Sequence, residues 1–117
     1  MAKPKKNVLV FASGNGSNFQ AIVDACEKPR CPYTVKALIT NVGGCYATEK
    51  ATNAGLTTIC VSNEMWPDRI VWERSIVSFV QYYNPDIICL AGFMKILSPM
   101  FFEEWTKPVL NIHPSLL

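Results

Sequence analysis

Short apolar runs alternate with stretches of helical spacing from one end of the sequence to the other. The runs are Asn7–Ala12, Thr34–Thr40, Thr57–Val61, Asp86–Ala91 and Pro108–Ile112. Between them lie Ser17–Glu27, Tyr46–Ala54, a segment opening after Pro67, and Pro99–Trp105. In the third of these, Trp72, Ile76, Phe79, Val80 and Tyr83 recur at helical spacing, which makes one core-facing stripe. Runs that are apolar at nearly every position suit strands buried on both faces. Strand–helix–strand repetition at this rhythm means βαβ units, hence a parallel sheet with helices on both faces, an α/β fold. With 117 residues, half of them hydrophobic, the chain supports one core and is too short for two. No internal repeat or linker divides it.

Local signals support the same division. Ser17 and Gln20 fit an S-x-x-Q capping box at the start of the first helix, and Pro29 and Pro32 stop it. Gly55 stands where a left-handed cap would end the second helix. Pro67 suits the first turn of the third. The net charge is +2, and Lys3, Lys5 and Lys6 sit near the start, so the body is close to neutral. The three lysines read as a solvated tail, and no basic stripe points to nucleic acid. The five cysteines, Cys26, Cys31, Cys45, Cys60 and Cys89, are irregularly spaced, with no C-x-x-C and a single histidine in the chain. They read as small buried hydrophobes of a reducing compartment rather than metal ligands. The longest apolar stretch, Ile87 to Met94, is eight residues, against the roughly 20 a membrane helix needs. A cytoplasmic location is the expectation, with neither membrane nor nucleic acid as partner.

In a parallel sheet of this kind ligands bind beyond the carboxyl ends of the strands. Three loops there carry possible chemistry. After the first strand comes Ser13-Gly14-Asn15-Gly16-Ser17-Asn18. Its glycines allow a sharp turn and close approach, and the N–H groups of Gly16, Ser17 and Asn18 would point at an anion from the start of a helix. A tight turn without a ligand is the alternative. The dinucleotide fingerprint would need a third glycine where Phe19 stands and a carboxylate at the end of the second strand, where the chain has Thr40-Asn41; a Walker loop would need Gly-Lys-Ser/Thr. A single terminal phosphate fits better, which counts against a nucleotide-dependent oxidoreductase. After the fourth strand, Ala91-Gly92-Phe93-Met94-Lys95-Ile96-Leu97-Ser98-Pro99 is either a hydrophobic plug or a wall for a flat apolar ligand. After the fifth, strand alternation puts Asn111 and His113 on one side. They form either a structural amide–imidazole pair or a catalytic one.

Taken together, the Ser13–Asn18 loop, Leu90-Ala91-Gly92-Phe93-Met94-Lys95-Ile96-Leu97-Ser98 and Asn111-Ile112-His113-Pro114-Ser115-Leu116-Leu117 resemble the phosphoribosylglycinamide formyltransferases. The resemblance runs from about Asn7 to the last residue. Related folate formyltransferases and a formyl-folate hydrolase share the last block, but their first loops differ. The resemblance implies a Rossmann-like sheet, with 10-formyltetrahydrofolate donating a formyl group to the amine of glycinamide ribonucleotide in purine biosynthesis. It implies the substrate phosphate on Gly16, Ser17 and Asn18, and the pterin against Met94, Lys95, Ile96 and Leu97. Arg69 aligns with a folate-contacting arginine, and Asn111 and His113 with the catalytic pair. No metal is implied.

Lys95 stands where the family commonly has arginine. The family continues beyond the Pro-Ser-Leu-Leu motif and supplies there an aspartate that works with the histidine. Residues 1–117 are therefore expected to form a single formyltransferase domain lacking its C-terminal part. The piece alone is expected to be inactive, and poorly soluble or marginally stable. The alternative functions are a formyl-folate hydrolase, another folate formyltransferase relative, or a non-catalytic fragment that retains a phosphate site.

Overall fold

The computed structural model describes residues 5–12, 17–41, 46–62, 68–91, 93 and 98–112, with side chains for all of these but 17, 18, 46, 47, 111 and 112. Its elements follow the expected order: β1 (Lys6–Phe11), α1 (Ser17–Cys26), β2 (Tyr33–Thr40), α2 (Tyr46–Asn53), β3 (Thr57–Cys60), α3 (Arg69–Tyr83), β4 (Ile87–Ala91), α4 (Pro99–Glu104) and β5 (Val109–Ile112). The strands form one sheet in the order β3-β2-β1-β4-β5, parallel at every pairing. This is a Rossmann-like arrangement.

The central strands are apolar throughout because both their faces are covered. Along β1, Leu9 and Phe11 enter a cluster with Ile39, Ile88, Trp72, Ile76, Val80 and Phe101, on the side of α3 and α4. Val8 and Val10 enter a second cluster with Leu38, Cys89, Phe19, Val23 and Ala51, on the side of α1 and α2. Alternate residues of one strand thus feed two cores. A bulge between Val8 and Leu9 skips Lys36 of β2, so the register resumes at Leu9 opposite Ala37.

Helix ends show which signals the backbone obeyed. Gly55 is left-handed, with φ +74°. Its N–H donates to Thr52 O and that of Leu56 to Ala51 O, the paired bonds of a Schellman motif. Asn84 ends α3 in the left-handed region at φ 44°, and Pro85 prevents continuation. One start signal behaves differently from expectation. Ser17 is already helical, and the side-chain nitrogen of Gln20 is turned forward onto Asp24 Oδ1 at 2.8 Å. An i,i+4 side-chain bond thus holds Gln20, rather than the reach back toward Ser17 that a capping box needs. Pro67 lies outside the described residues. The cap of α3 is Asp68, whose Oδ1 accepts from Ile70 N at 2.8 Å and Val71 N at 3.2 Å.

The cysteines follow their surroundings. Cys89 is buried, whereas Cys26, Cys31 and Cys60 are only partly so, and all four are free thiols. Cys45 lies outside the described residues. Among the described residues no helix is long and apolar enough to cross a membrane.

Candidate functional site

The chain builds β1, β2 and β3 outward in one direction and then returns to place β4 and β5 on the other side of β1. The reversal lies between β1 and β4, where α/β sheets of this type open a crevice beyond their carboxyl ends. Phe11 of β1 pairs with Leu90 of β4, and Leu90 pairs with Asn111 of β5. The strands that lead into all three singled-out loops therefore end side by side, on one edge and in register.

The structure places part of the expected site. Ser17 and Asn18 open α1 directly after β1, as a helix-start anion site requires of the backbone. Asn111 is the third residue of β5. Arg69 is the first residue of α3 and is exposed. Gly16, Met94, Lys95, Ile96, Leu97 and His113 lie outside the described residues, as do the side chains of Ser17, Asn18 and Asn111. The common side expected for Asn111 and His113 therefore falls outside them too.

Both ends of the loop after β4 are described, and both are tied to α3. At the near end, the Phe93 ring stacks on Trp72, with centroids 6.5 Å apart and planes 3° from parallel. It also meets the Phe11 ring edge-on at 5.4 Å. Trp72 is oriented in turn by its indole N–H, which donates to Val61 O at 2.6 Å, just past the end of β3. The guanidinium of Arg69 lies 5.9 Å from the Trp72 ring centroid, a cation–π contact one helical turn away. At the far end, Glu73 Oε1 accepts from Ser98 N at 2.5 Å, and Glu73 Oε2 from Ser98 Oγ at 2.8 Å.

Sequence reasoning found Trp72 as core but missed its second use, and it missed Glu73 altogether. One signal was available. Glu73 heads the row Glu73–Val77–Val80 on the buried flank of α3, and all three residues are buried. A carboxylate on an apolar flank needs hydrogen-bond partners, so it marks a contact to be looked for. Among the described residues, no cluster of three or more His, Cys, Asp or Glu side chains could hold a metal ion.

Comparison with known proteins agrees with this geometry. The family described as formyl transferase matches residues 6–117. Phosphoribosylglycinamide formyltransferase of Escherichia coli K12 is 41% identical over 111 residues, covering 95% of this chain and 52% of its own length. The human trifunctional purine biosynthetic protein adenosine-3 is 37% identical over 115 residues, 98% of this chain and 11% of that protein. The crystal structure of phosphoribosylglycinamide formyltransferase from Brucella melitensis superposes with a TM-score of 0.89 at 33% identity, over 94% of this chain and 57% of that one. The chain thus spans about half the length of the two single-function relatives. With the formyl transferase family matching residues 6–117, the chain belongs to that family.

Proposed function

We propose that the complete protein carrying this chain transfers the formyl group of 10-formyltetrahydrofolate to the amine of glycinamide ribonucleotide, with residues 1–117 as one part of the catalytic domain. The observation that carries this reading is the alignment of Phe11, Leu90 and Asn111 across β1, β4 and β5, which brings the ends of three motif-bearing strands together at the sheet's reversal point. The names of the relatives support the choice of substrates.

In this reading the backbone N–H groups of Gly16, Ser17 and Asn18 hold the ribonucleotide phosphate at the head of α1, where the helix dipole favours an anion. Met94, Lys95, Ile96 and Leu97 line the pterin, with Arg69 toward the folate's charged part. The amine lone pair attacks the formyl carbon, and the carbonyl oxygen takes negative charge. The carbon–N10 bond then breaks as the amine's proton passes to N10, so the balance needs no further reactant. Asn111 donates its side-chain N–H to the oxyanion, and His113 stabilises the same charge and moves the proton. Donors preorganised for a developing oxyanion are each worth about 3–4 kcal/mol.

The test is steady-state kinetics on the complete gene product. His113→Ala and Asn111→Ala should each lower kcat by about 10²–10³-fold with modest changes in either KM. Near-normal turnover in one variant removes that residue from the chemistry. Release of free formate in place of formylated ribonucleotide would assign hydrolysis instead.

A further inference from the structure

Cys26 is the last residue of α1, and Cys31 stands shortly before β2 opens at Tyr33. The chain between them folds back on itself. Lys28 N donates to Ala25 O at 3.4 Å, and Cys31 N donates to Lys28 O at 3.0 Å. Just beyond, Lys6 N donates to Pro32 O at 2.8 Å, which fastens the exit of the turn to the start of β1. The turn brings two side chains together, and the thiol of Cys26 is hydrogen-bonded to that of Cys31. Both thiols are free.

Packing does not account for the pair. Glu27, Lys28, Pro29 and Arg30 are all exposed, and Cys31 belongs to neither core cluster. A cysteine placed as a small hydrophobe is ordinarily buried. This one stands in a surface turn with a second thiol against it.

The two sulfurs differ. Cys26 packs against the α1/α2 cluster, and burial, then the hydrogen bond to Cys31, pushes its thiol up to about 11. Its proton is held, whereas the attacking species in thiol–disulfide exchange is a thiolate. Cys31 lies outside the cluster, next to the exposed Arg30. A cleft of about 190 Å³ opens beside Cys26, lined also by Lys5, Val23, Glu27 and Leu56. Of the charges in the turn and the cleft, Lys5, Lys28 and Arg30 outnumber Glu27, which favours an anionic reactant.

We propose that Cys26 and Cys31 form a reversible redox modification site, at which Cys31 opens exchange with an anionic low-molecular-weight disulfide and Cys26 closes it. The Cys31 thiolate attacks one sulfur of the small disulfide, forming a mixed disulfide and expelling one thiolate. The Cys26 sulfur then attacks the Cys31 sulfur, forming the protein disulfide and expelling the second thiolate. The two protein thiol protons pass to the expelled thiolates, and the two electrons lost by the protein reduce the small disulfide. The site lies toward the amino ends of the parallel strands, at the opposite pole from the carboxyl-edge crevice. It is therefore independent of the functional reading above.

The complete gene product, reduced and then freed of reductant, is exposed to oxidised glutathione and mapped by peptide mass spectrometry. Wild type should yield a Cys26–Cys31 cross-link that dithiothreitol reverses. Cys26→Ser should stop at a glutathione adduct on Cys31. Cys31→Ser should react at Cys26 about tenfold more slowly, because a thiol held near 11 exposes little thiolate. Cystamine, a cationic disulfide, should react more slowly than oxidised glutathione at low salt, and added salt should narrow the gap. A cross-link to a different cysteine, a wild-type adduct that never closes, or no reaction at either residue would overturn the site. Faster reaction at Cys26 than at Cys31 would overturn the division of roles, and faster reaction with cystamine would overturn the anionic reactant.

Discussion

The two faces of the sheet are filled with different material. On the α3/α4 face the buried cluster contains Phe11, Trp72, Phe101 and Trp105, with Phe93 and Tyr83 packed against it. On the α1/α2 face Phe19 is, among the described residues, the one aromatic ring in a cluster of Val8, Val10, Val23, Val35, Leu38 and small residues. Aliphatic packing is non-directional, and it holds layers together without saying where a loop must stand. Aromatic rings carry edge and face preferences, and Trp72 adds a hydrogen bond. The chain of contacts Arg69–Trp72–Phe93–Phe11 runs along the aromatic face toward the carboxyl edge. That face therefore does two tasks, stability and placement, whereas the aliphatic face does the first.

The sharpest way to break this contrast is to truncate one large ring on each side. Trp72 is 2% exposed and Phe19 fully buried. Trp72→Ala and Phe19→Ala should each cost about 3–5 kcal/mol in urea unfolding, from lost transfer energy and the cavity left behind. Their functional effects should differ. Trp72→Ala should raise the folate KM, because Phe93 loses its stacking partner. Phe19→Ala should leave that KM near wild type, and any kinetic effect should fall on the ribonucleotide side, where α1 begins. A matching rise in folate KM from both variants would mean that the faces are equivalent and that general loosening explains everything.

The same contrast accounts for what could be read from the sequence. Every element was legible within a residue or two, because buried parallel strands demand unbroken apolar runs and Pro29, Gly55 and Pro85 punctuate them. The core-facing stripe of α3 followed from helical spacing, and Trp72, Ile76 and Val80 lie in the buried cluster of the aromatic face. Strand order was not legible: whether the chain continues outward from β3 or returns to the far side of β1 depends on tertiary packing. Nor was the link between Glu73 and Ser98. A glutamate on an apolar helix flank signals a contact without naming its partner, and a serine before proline reads as a cap. Their partnership exists only once α3 and α4 lie together on one face. For the site, the sequence motifs located the three strand ends and Arg69, and the register of Phe11, Leu90 and Asn111 showed why those strand ends are neighbours.

A smaller effect sharpens the picture at the head of α3. This helix carries both ties to the loop after β4 and starts with a side-chain cap from Asp68 to Ile70 N and Val71 N. Asp68→Ala should cost about 1 kcal/mol of unfolding free energy, the usual loss for such a cap. Because Arg69 and Trp72 sit in the first turn, the variant should also weaken folate binding slightly. Asp68→Ser, which can still cap, should recover most of the stability. An Ala variant as stable as wild type would show that tertiary packing alone fixes the start of the helix.

The smallest expected effect belongs to the aliphatic face and depends on pH. Cys26, at the end of α1, has its thiol pushed up from an ordinary 9.0 to about 11, chiefly by burial, then by the hydrogen bond and charge of Cys31. Cys89, in the same cluster, is raised by burial alone. A raised thiol pKa means that the folded state prefers the proton more strongly than the unfolded chain does. Below pH 9 both states hold it, and the contribution to stability is fully present. As pH rises from 9 toward 11 the unfolded chain releases its proton first, so the balance shifts toward unfolding. Cys26 is only partly buried, so water screens much of this effect. Comparing urea midpoints at pH 8 and pH 10.5, wild type should lose more stability over that interval than Cys26→Ser, because lysines and tyrosines titrate alike in both and cancel. Equal losses would show that Cys26 responds to solvent rather than to the core. The aliphatic face would then end at Val23, one turn before the helix does.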